Sequence, residues 1–517
     1  MAVTVGGSVG GSVGGSVLLS GGRLLGSRQA VDVLIRDGRV VSIEPAGSAP
    51  PAVAAAGSPE RVELAGRTVL RGLRDAHVHL NQWALARQRL DVSGARSAAD
   101  AAALVVARLH ANPLPAGAAL VGFGFHDGLW PDAPSATLLD DALRAAGLRD
   151  VPVVLVSGDL HCGWLSSSAL ALHGHPGHRT GILREQEWFA LSEAISAAPV
   201  PLLDAWVDEA ARAAAARGVV AVIDYEWADN LAVWRRRIGA GTRALRVAAG
   251  VWPEHLDRVV AHELAGGDVV PDTGGLLTMG PLKVISDGSL NTRTAYCHQE
   301  YPGLEGTTAA HGVLAVGPEE LTRLLAKATR HGLECAVHAI GDHAVQLALD
   351  AFESTGARGS IEHAQLLAPE DLPRFAALGV VASVQPEHAL DDRDVADVHW
   401  AGRTDRAFAY GDLHAAGAEL VLGSDAPVAP LDPWLAIAAA VHRTRDGRAP
   451  WHPEQALALD VALAASTGGR AGLEVGDVAD VAIVDVDPFE ADAATLRAMP
   501  VSGTLLAGRW TWCTLSR

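Results

Sequence analysis

The sequence predicts an α/β protein built on a (β/α)8 barrel of the TIM type, with a small β domain made from both termini and a subdomain inserted after the first barrel strand. Three observations predict it. The middle of the chain alternates apolar strand-like segments with alanine-rich helical ones, it contains eight strand candidates, and both ends of the chain are β-rich. The 517 residues suffice for such a barrel and more, since one barrel commonly uses about 250.

Taken in order, residues 6–17 are three tandem copies of Gly-Gly-Ser-Val, which cannot support a packed core, so 1–16 are expected to form a flexible leader. Residues 17–25, 31–36 and 39–44 read as short strands around Asp37-Gly38, a hairpin-type turn. The proline-, alanine- and glycine-rich stretch 45–60 reads as a surface loop. At the other end, VADVAIVDVD (478–487) and TLLAGRWTWC (504–513) again read as strand, turn and strand. Residues 17–68 plus 474–517 are therefore expected to assemble one composite β domain around a barrel spanning 69–473.

Candidate barrel strands are 69–74, 218–224, 244–249, 281–286, 334–338, 358–362, 380–384 and 419–424. The first two are separated by roughly 145 residues, far beyond an ordinary connection. That gap has its own helical stretch at 97–111, a strand-like segment at 151–157 and a helix near 202–217, so an inserted subdomain of about 82–215 is expected over the barrel mouth.

Composition excludes several classes. With 60 acidic against 41 basic residues the net charge is -19, and no arginine cluster provides an electrostatic footprint for nucleic acid. Cys162, Cys297, Cys335 and Cys513 are too scattered for a disulfide framework or a thiolate metal site. No apolar run reaches membrane-spanning length and the first basic residue is Arg23, so neither a membrane helix nor an ordinary secretory signal is expected, and the cytoplasm is the default location. The basic residues comprise 39 arginines and only two lysines, Lys283 and Lys327. In such a background a lysine invites the question of whether its amine is required.

Position relative to the strands selects among the 21 histidines. RGLRDAHVHL puts His77 and His79 directly after the first candidate strand, two residues apart and so on one side of an extended segment. His338 and His363 stand at the ends of the fifth and sixth candidates, and Asp425 at the end of the eighth. A closed barrel gathers these strand ends into one mouth. Imidazole nitrogen with carboxylate oxygen suits one or two divalent ions, zinc above all. Lys283, at the fourth candidate, has two readings. It snorkels to the surface or pairs with Asp287, or it is carboxylated by carbon dioxide into an anionic oxygen ligand. Lys327 reads as ordinary surface.

These segments resemble the metal-dependent amidohydrolase superfamily, in particular the amidohydrolase-3 or YtcJ-like branch that includes N-substituted formamide deformylases. The resemblance rests on DAHVHL (75–80), GDLHCGWLSSSAL (158–170), KVISDGSLNTRTA (283–295), HAIGD (338–342), EHAQ (362–365), GSDAPV (423–428) and GDVADVAIVD (476–485). It implies a (β/α)8 barrel, a small β-sandwich from both termini and a subdomain inserted after the first strand. It also implies that His77, His79 and Asp425 bind one metal, that His338 and His363 bind a second, and that a carboxylated Lys283 bridges them. Homodimerisation is a further family-level expectation. Cys162 and Asn291 depart mildly from the pattern.

The chemistry expected is hydrolysis of a non-peptide carbon–nitrogen bond in a small N-formyl or N-acyl amide. Asp425 would shuttle the proton, with a purely structural ligand as the alternative role. His161, in the insertion, is either a hydrogen-bond donor to the substrate oxygen or a loop histidine without a catalytic role. Asp287 and Arg293 are candidates to order their loop or hold a polar substrate end, and Asp342 to orient His338. If Trp83, Trp130, Trp164, Trp188 or Trp206 lines the cavity, the substrate carries an aromatic or apolar part. Hydrolysis of an ester, lactone or cyclic amide is an alternative reaction, and a non-catalytic metal-containing binding protein is an alternative class.

Overall fold

The structure is a computed structural model that describes residues 15–48, 59–115 and 118–516. Apart from residues 15–17, the Gly-Gly-Ser-Val leader lies outside the described residues, as does most of the 45–60 stretch.

Eight parallel strands follow one another around the barrel in chain order: β1 (Leu73–Val78), β2 (Val219–Asp224), β3 (Arg246–Val251), β4 (Leu277–Ile285), β5 (Cys335–Ala339), β6 (Gly359–His363), β7 (Val380–Val384) and β8 (Leu420–Leu422). The ring closes beyond β8, where Ala426 bridges to Val78 of β1 in parallel. Helix Pro318–Arg330 buries one apolar face, with Leu321, Leu324, Leu325 and Ala328, whereas Pro433–His442 is buried nearly all round.

The first barrel strand differs from expectation. The run TVLRGLRDAHV divides at Gly72: Thr68–Arg71 joins the terminal sheet, pairing with Val17–Leu24 and Val481–Val484, and β1 begins only at Leu73. Gly72 is needed for the passage, because a Cβ there would stand 2.4 Å from the Val220 side chain. His77 therefore lies within β1 rather than after it.

The terminal sheet has eight strands drawn from residues 17–71 and 481–513. It wraps an apolar core in which Leu19, Val33 and Val69 meet Val481, Ile483 and Leu505. Its Ala30–Arg36/Arg39–Pro45 hairpin turns at Asp37 and Gly38, both with positive φ (50° and 74°) as a tight hairpin of matching twist requires.

Between β1 and β2 the chain builds a separate five-stranded sheet from Leu90–Asp91, Leu120–Phe125, Val153–Ser157, Cys162–Leu165 and Ile182–Arg184. Helices Ala98–Ala111 and Ala136–Ala145, capped by Ser97 and Ser135, pack on it. Helix Val200–Ala215 instead buries Val207, Ala210, Ala211 and Ala214 in the barrel's own core. Trp164 and Trp188 are fully buried inside the insertion, so neither lines a cavity. All four cysteines are free, and among the described residues no helix is long and apolar enough to cross a membrane.

Barrel closure depends on a close approach of Gly423 to β1. A Cβ at Gly423 would stand 2.8 Å from His77 N and 2.9 Å from His77 Cβ. Gly423→Ala is expected to destabilise the protein by about 1–3 kcal/mol, as overpacking does, with a lowered urea midpoint as the readout.

Candidate metal centre

Backbone geometry aims the site before any side chain does. Asp425 N–H donates to His77 O (2.8 Å) and His79 N–H to Ala426 O (2.8 Å), so the chain after β8 is sewn to the end of β1. Buried Asp75 accepts N–H bonds from Ser424 (2.9 Å) and His77 (3.2 Å) at the same seam. His363 and Asp425 adopt positive φ (75° and 55°), a strained conformation for residues with a Cβ that turns both side chains out of the strand direction.

The side chains converge on the Asp425 carboxylate. His77 Nε2 and His79 Nε2 lie 3.4 and 3.3 Å from Oδ1, while His388 Nε2 lies 3.3 Å from Oδ2. Among the described residues two three-residue sets result, His77 with His79 and Asp425, and His363 with His388 and Asp425, each with ligand atoms within 4.8 Å of one another. The two sets share Asp425, and only His79 in them is more than marginally exposed.

His77 is held from behind. Its Nδ1 is 2.6 Å from Glu362 Oε2, and both side chains are 1% exposed. An ionised Glu362 fixes the hydrogen of a neutral imidazole on Nδ1 and leaves the Nε2 lone pair facing the cluster. Burial, with Lys283 nearby, keeps His77 well below the ordinary imidazole range, and burial with His338 nearby does the same for His363. Burial, the largest single influence, would lower His79 and His388, but the hydrogen bond to Asp425 together with its charge and that of other nearby acids raises both. Burial alone would raise Asp425, yet His77 and the bonds from His388 and His79 hold it well below the usual carboxylate range.

The remaining expected residues are placed as follows. Lys283 Nζ is 3.3 Å from His77 Nε2 and 4.7 Å from the Tyr225 ring centroid, and burial pushes it down to about 8. It does not pair with Asp287, whose carboxylate accepts backbone N–H bonds from Tyr296, Ile340 and Gly341 and so orders its loop. His338 stands outside both three-residue sets, its ring 4.5 Å from that of His363 and its Nε2 3.2 Å from Gly288 O. Asp342 does not orient it. That carboxylate accepts from His298 N–H and Arg406, and Asp287 is the acid 3.4 Å from His338. Arg293 sits in a left-handed turn (φ 58°) with its N–H on Leu290 O. His161 is held in the insertion with Nδ1 3.1 Å from Glu185 Oε2. Lys327 forms an ion pair with Asp257.

Sequence reasoning missed His388, Glu362 and Tyr225. A signal existed for His388: QPEH follows directly on the 380–384 candidate strand, at the end where the other ligands gather. For Glu362 nothing in the sequence distinguishes a carboxylate behind His77 from any other acid.

The donor set fits a divalent transition ion. His77 and His363 are disposed to be neutral, Asp425 to be ionised, and the buried Nδ1 atoms of His79, His363 and His388 have no hydrogen-bond partner. Glu362→Gln, which removes the charge behind His77, is expected to weaken metal affinity by about 10–100-fold with the circular dichroism spectrum unchanged, as measured by equilibrium dialysis and elemental analysis.

Residues 60–511 match the family model described as the Amidohydrolase family. The chain is 30% identical over 499 residues to the protein LONG AFTER FAR-RED 3 of Arabidopsis thaliana, covering 86% of this chain and 83% of that one. It is 25% identical over 507 residues to an N-substituted formamide deformylase of Arthrobacter pascens, covering 88% and 90%. An uncharacterized metal-dependent hydrolase from Pyrococcus horikoshii, known as a crystal structure, aligns with a TM-score of 0.76 and 28% identity over 93% of this chain and 99% of that one. With nearly its whole described length matched and a histidine–aspartate cluster at the mouth of its barrel, the chain belongs to the metal-dependent amidohydrolase superfamily, in the amidohydrolase-3 branch.

Proposed function

We propose that the protein hydrolyses a carbon–nitrogen bond other than a peptide bond, in an N-formyl or N-acyl amide, with zinc as the preferred metal. One observation carries this reading: a single buried carboxylate, Asp425, faces His77 and His79 through one oxygen and His388 through the other. A carboxylate so placed is both a ligand and a proton acceptor at the reacting atoms. The similarity to an N-substituted formamide deformylase favours the N-formyl class.

His77, His79 and Asp425 would hold one ion, and His363 with His388 and Asp425 a second, with His338 at its edge. A divalent cation there supplies Lewis acidity and lowers the pKa of water toward about 7. Asp425 takes the proton of the attacking water and delivers it to the departing nitrogen. The C–N bond then breaks as the new C–O bond is completed, and the amine leaves neutral. His161 offers a hydrogen bond to the substrate carbonyl oxygen as negative charge develops.

Trp227 supports an aromatic or apolar portion in the substrate. It follows Glu226 at the end of β2, is 66% exposed and stacks on buried Trp252 at 4.5 Å and 12°. Glu226 accepts N–H bonds from both Trp227 and Gln82, the latter three residues beyond His79, which ties this free indole face to the rim of the site.

Lys283 has the chemistry for carboxylation. Its amine nitrogen would bond to the carbon of carbon dioxide with release of one proton, giving a carbamate whose oxygens are anionic. Only the free amine reacts. With a value of about 8, roughly half of the groups are free at pH 8, against well under about 1% for an ordinary lysine amine.

Two tests follow. On a panel of formanilides, alkyl formamides and N-acyl amines, metal-loaded protein should turn over at least one class, and Asp425→Asn should lose about 10²–10⁴-fold in kcat/KM with the fold intact. Equal inertness of both proteins across the panel would overturn the hydrolase reading. Second, reconstitution of metal-free protein should be faster and more complete with bicarbonate at pH 8.5 than at pH 6.5, because the free amine increases as pH rises through about 8. A 13C-carbamate signal present in wild type and absent in Lys283→Ala would identify the group, and reconstitution indifferent to bicarbonate and pH would rule it out.

A further inference from the structure

His161 occupies an over-determined turn. It lies between insertion strands Val153–Ser157 and Cys162–Leu165, directly after Leu160, which has φ 67°. Trp188 Nε1 donates to Leu160 O (2.8 Å), and Glu185 N–H donates to His161 O (3.1 Å). Glu185 itself has φ 48°, at the start of helix Glu185–Ser196, and its Oε2 is 3.1 Å from His161 Nδ1. Its Oε1 is buried without a hydrogen-bond partner. Two strained residues flanking one imidazole–carboxylate contact mark a place where geometry is maintained against local preference.

A second set of bonds ties this turn to the barrel. Asp159 Oδ1 accepts from Ser157 Oγ (2.6 Å) and His161 N–H (3.1 Å). Its Oδ2 accepts from Asn291 Nδ2 (2.8 Å), in the loop after β4. Asn291, one of the two departures from the family pattern, thus connects the insertion to the loop that Asp287 orders.

We infer that Glu185 is a positioning residue that takes the Nδ1–H of His161 and leaves Nε2–H of a cationic imidazole as the donor for the substrate carbonyl oxygen. This rests on the hydrolase reading above. No described residue bonds Nε2. The acids around the ring favour the cation against the effect of burial: Glu185 through its hydrogen bond and charge, and Asp159 and Asp425 through their charge. The Phe189 ring packs edge-on at 5.4 Å, and the Arg184 guanidinium beside Glu185 is engaged by Asp127. Asp392, from the segment after β7, feels the charge of Asp159 and is pushed up to about 7, mainly by burial. A cationic donor is charge-assisted and matches an oxygen that becomes negative.

The test uses metal-loaded full-length protein. Glu185→Gln keeps the size and an acceptor oxygen but removes the charge, so His161 should release its proton more readily. The alkaline limb of kcat/KM is expected to move down by about one pH unit, with a loss of about 10-fold or more above it, and Glu185→Asp should restore part of it. In a His161→Ala background, Glu185→Gln should add nothing. A pH-independent loss, or the same loss in the His161→Ala background, would overturn the proposal in favour of a merely structural Glu185. If wild type turns over no amide, the hydrolase reading fails first. The ring-15N titration of His161, identified by its absence in His161→Ala, then decides separately: an unshifted value in Glu185→Gln overturns the contact's role, and a downward shift supports it.

Discussion

The Asp425 carboxylate is the constraint on which the rest of the molecule depends. Its backbone N–H closes the barrel onto His77 O, and its two oxygens face three imidazoles from β1, the start of the following helix and the helix after β7. A buried anion without partners is prohibitively unfavourable, so the surrounding histidines and the geometry that aims them are required together. This explains why positive φ is tolerated at Asp425 and at His363: relaxing either would turn a ligand away from the cluster.

Charge behind the cluster is arranged with equal economy. Glu362 sits against His77 Nδ1, is held by Ser360 Oγ, and is pushed up by burial while Lys283 opposes that shift. Lys283, His77 and Glu362 form a buried line in which each group sets the protonation of the next. In a chain with 39 arginines, the position beside His77 carries a lysine, and burial pushes its amine down to about 8, so it gives up its proton far more readily than a guanidinium would.

The insertion and the barrel are coupled through polar contacts at the mouth. Asp159 and Asn291 fix the turn that carries His161, while Glu226 joins Gln82 to the exposed Trp227. The candidate metal ligands stand at the strand ends, while His161 belongs to the insertion turn and Trp227 to the end of β2. The tryptophans of the insertion contribute differently from Trp227: Trp164 and Trp188 are wholly interior and stabilise the insertion, not a ligand.

Periodicity and spacing made the barrel legible, because alternating βα segments and eight apolar strands leave few other architectures. They misplaced the first strand, since hydropathy does not register the division at Gly72, where the Val220 side chain leaves no room for a Cβ. The sequence by itself determined the fold class and singled out His77, His79, His338, His363, Asp425 and Lys283, because strand ends can be counted along a chain. Only the tertiary structure decided that His388 joins His363 at Asp425, that Glu362 stands behind His77, and that Glu185 meets His161. Those meetings depend on strand register, closure at Val78 and Ala426, and the docking of the insertion, which are properties of the closed ring and of no single segment.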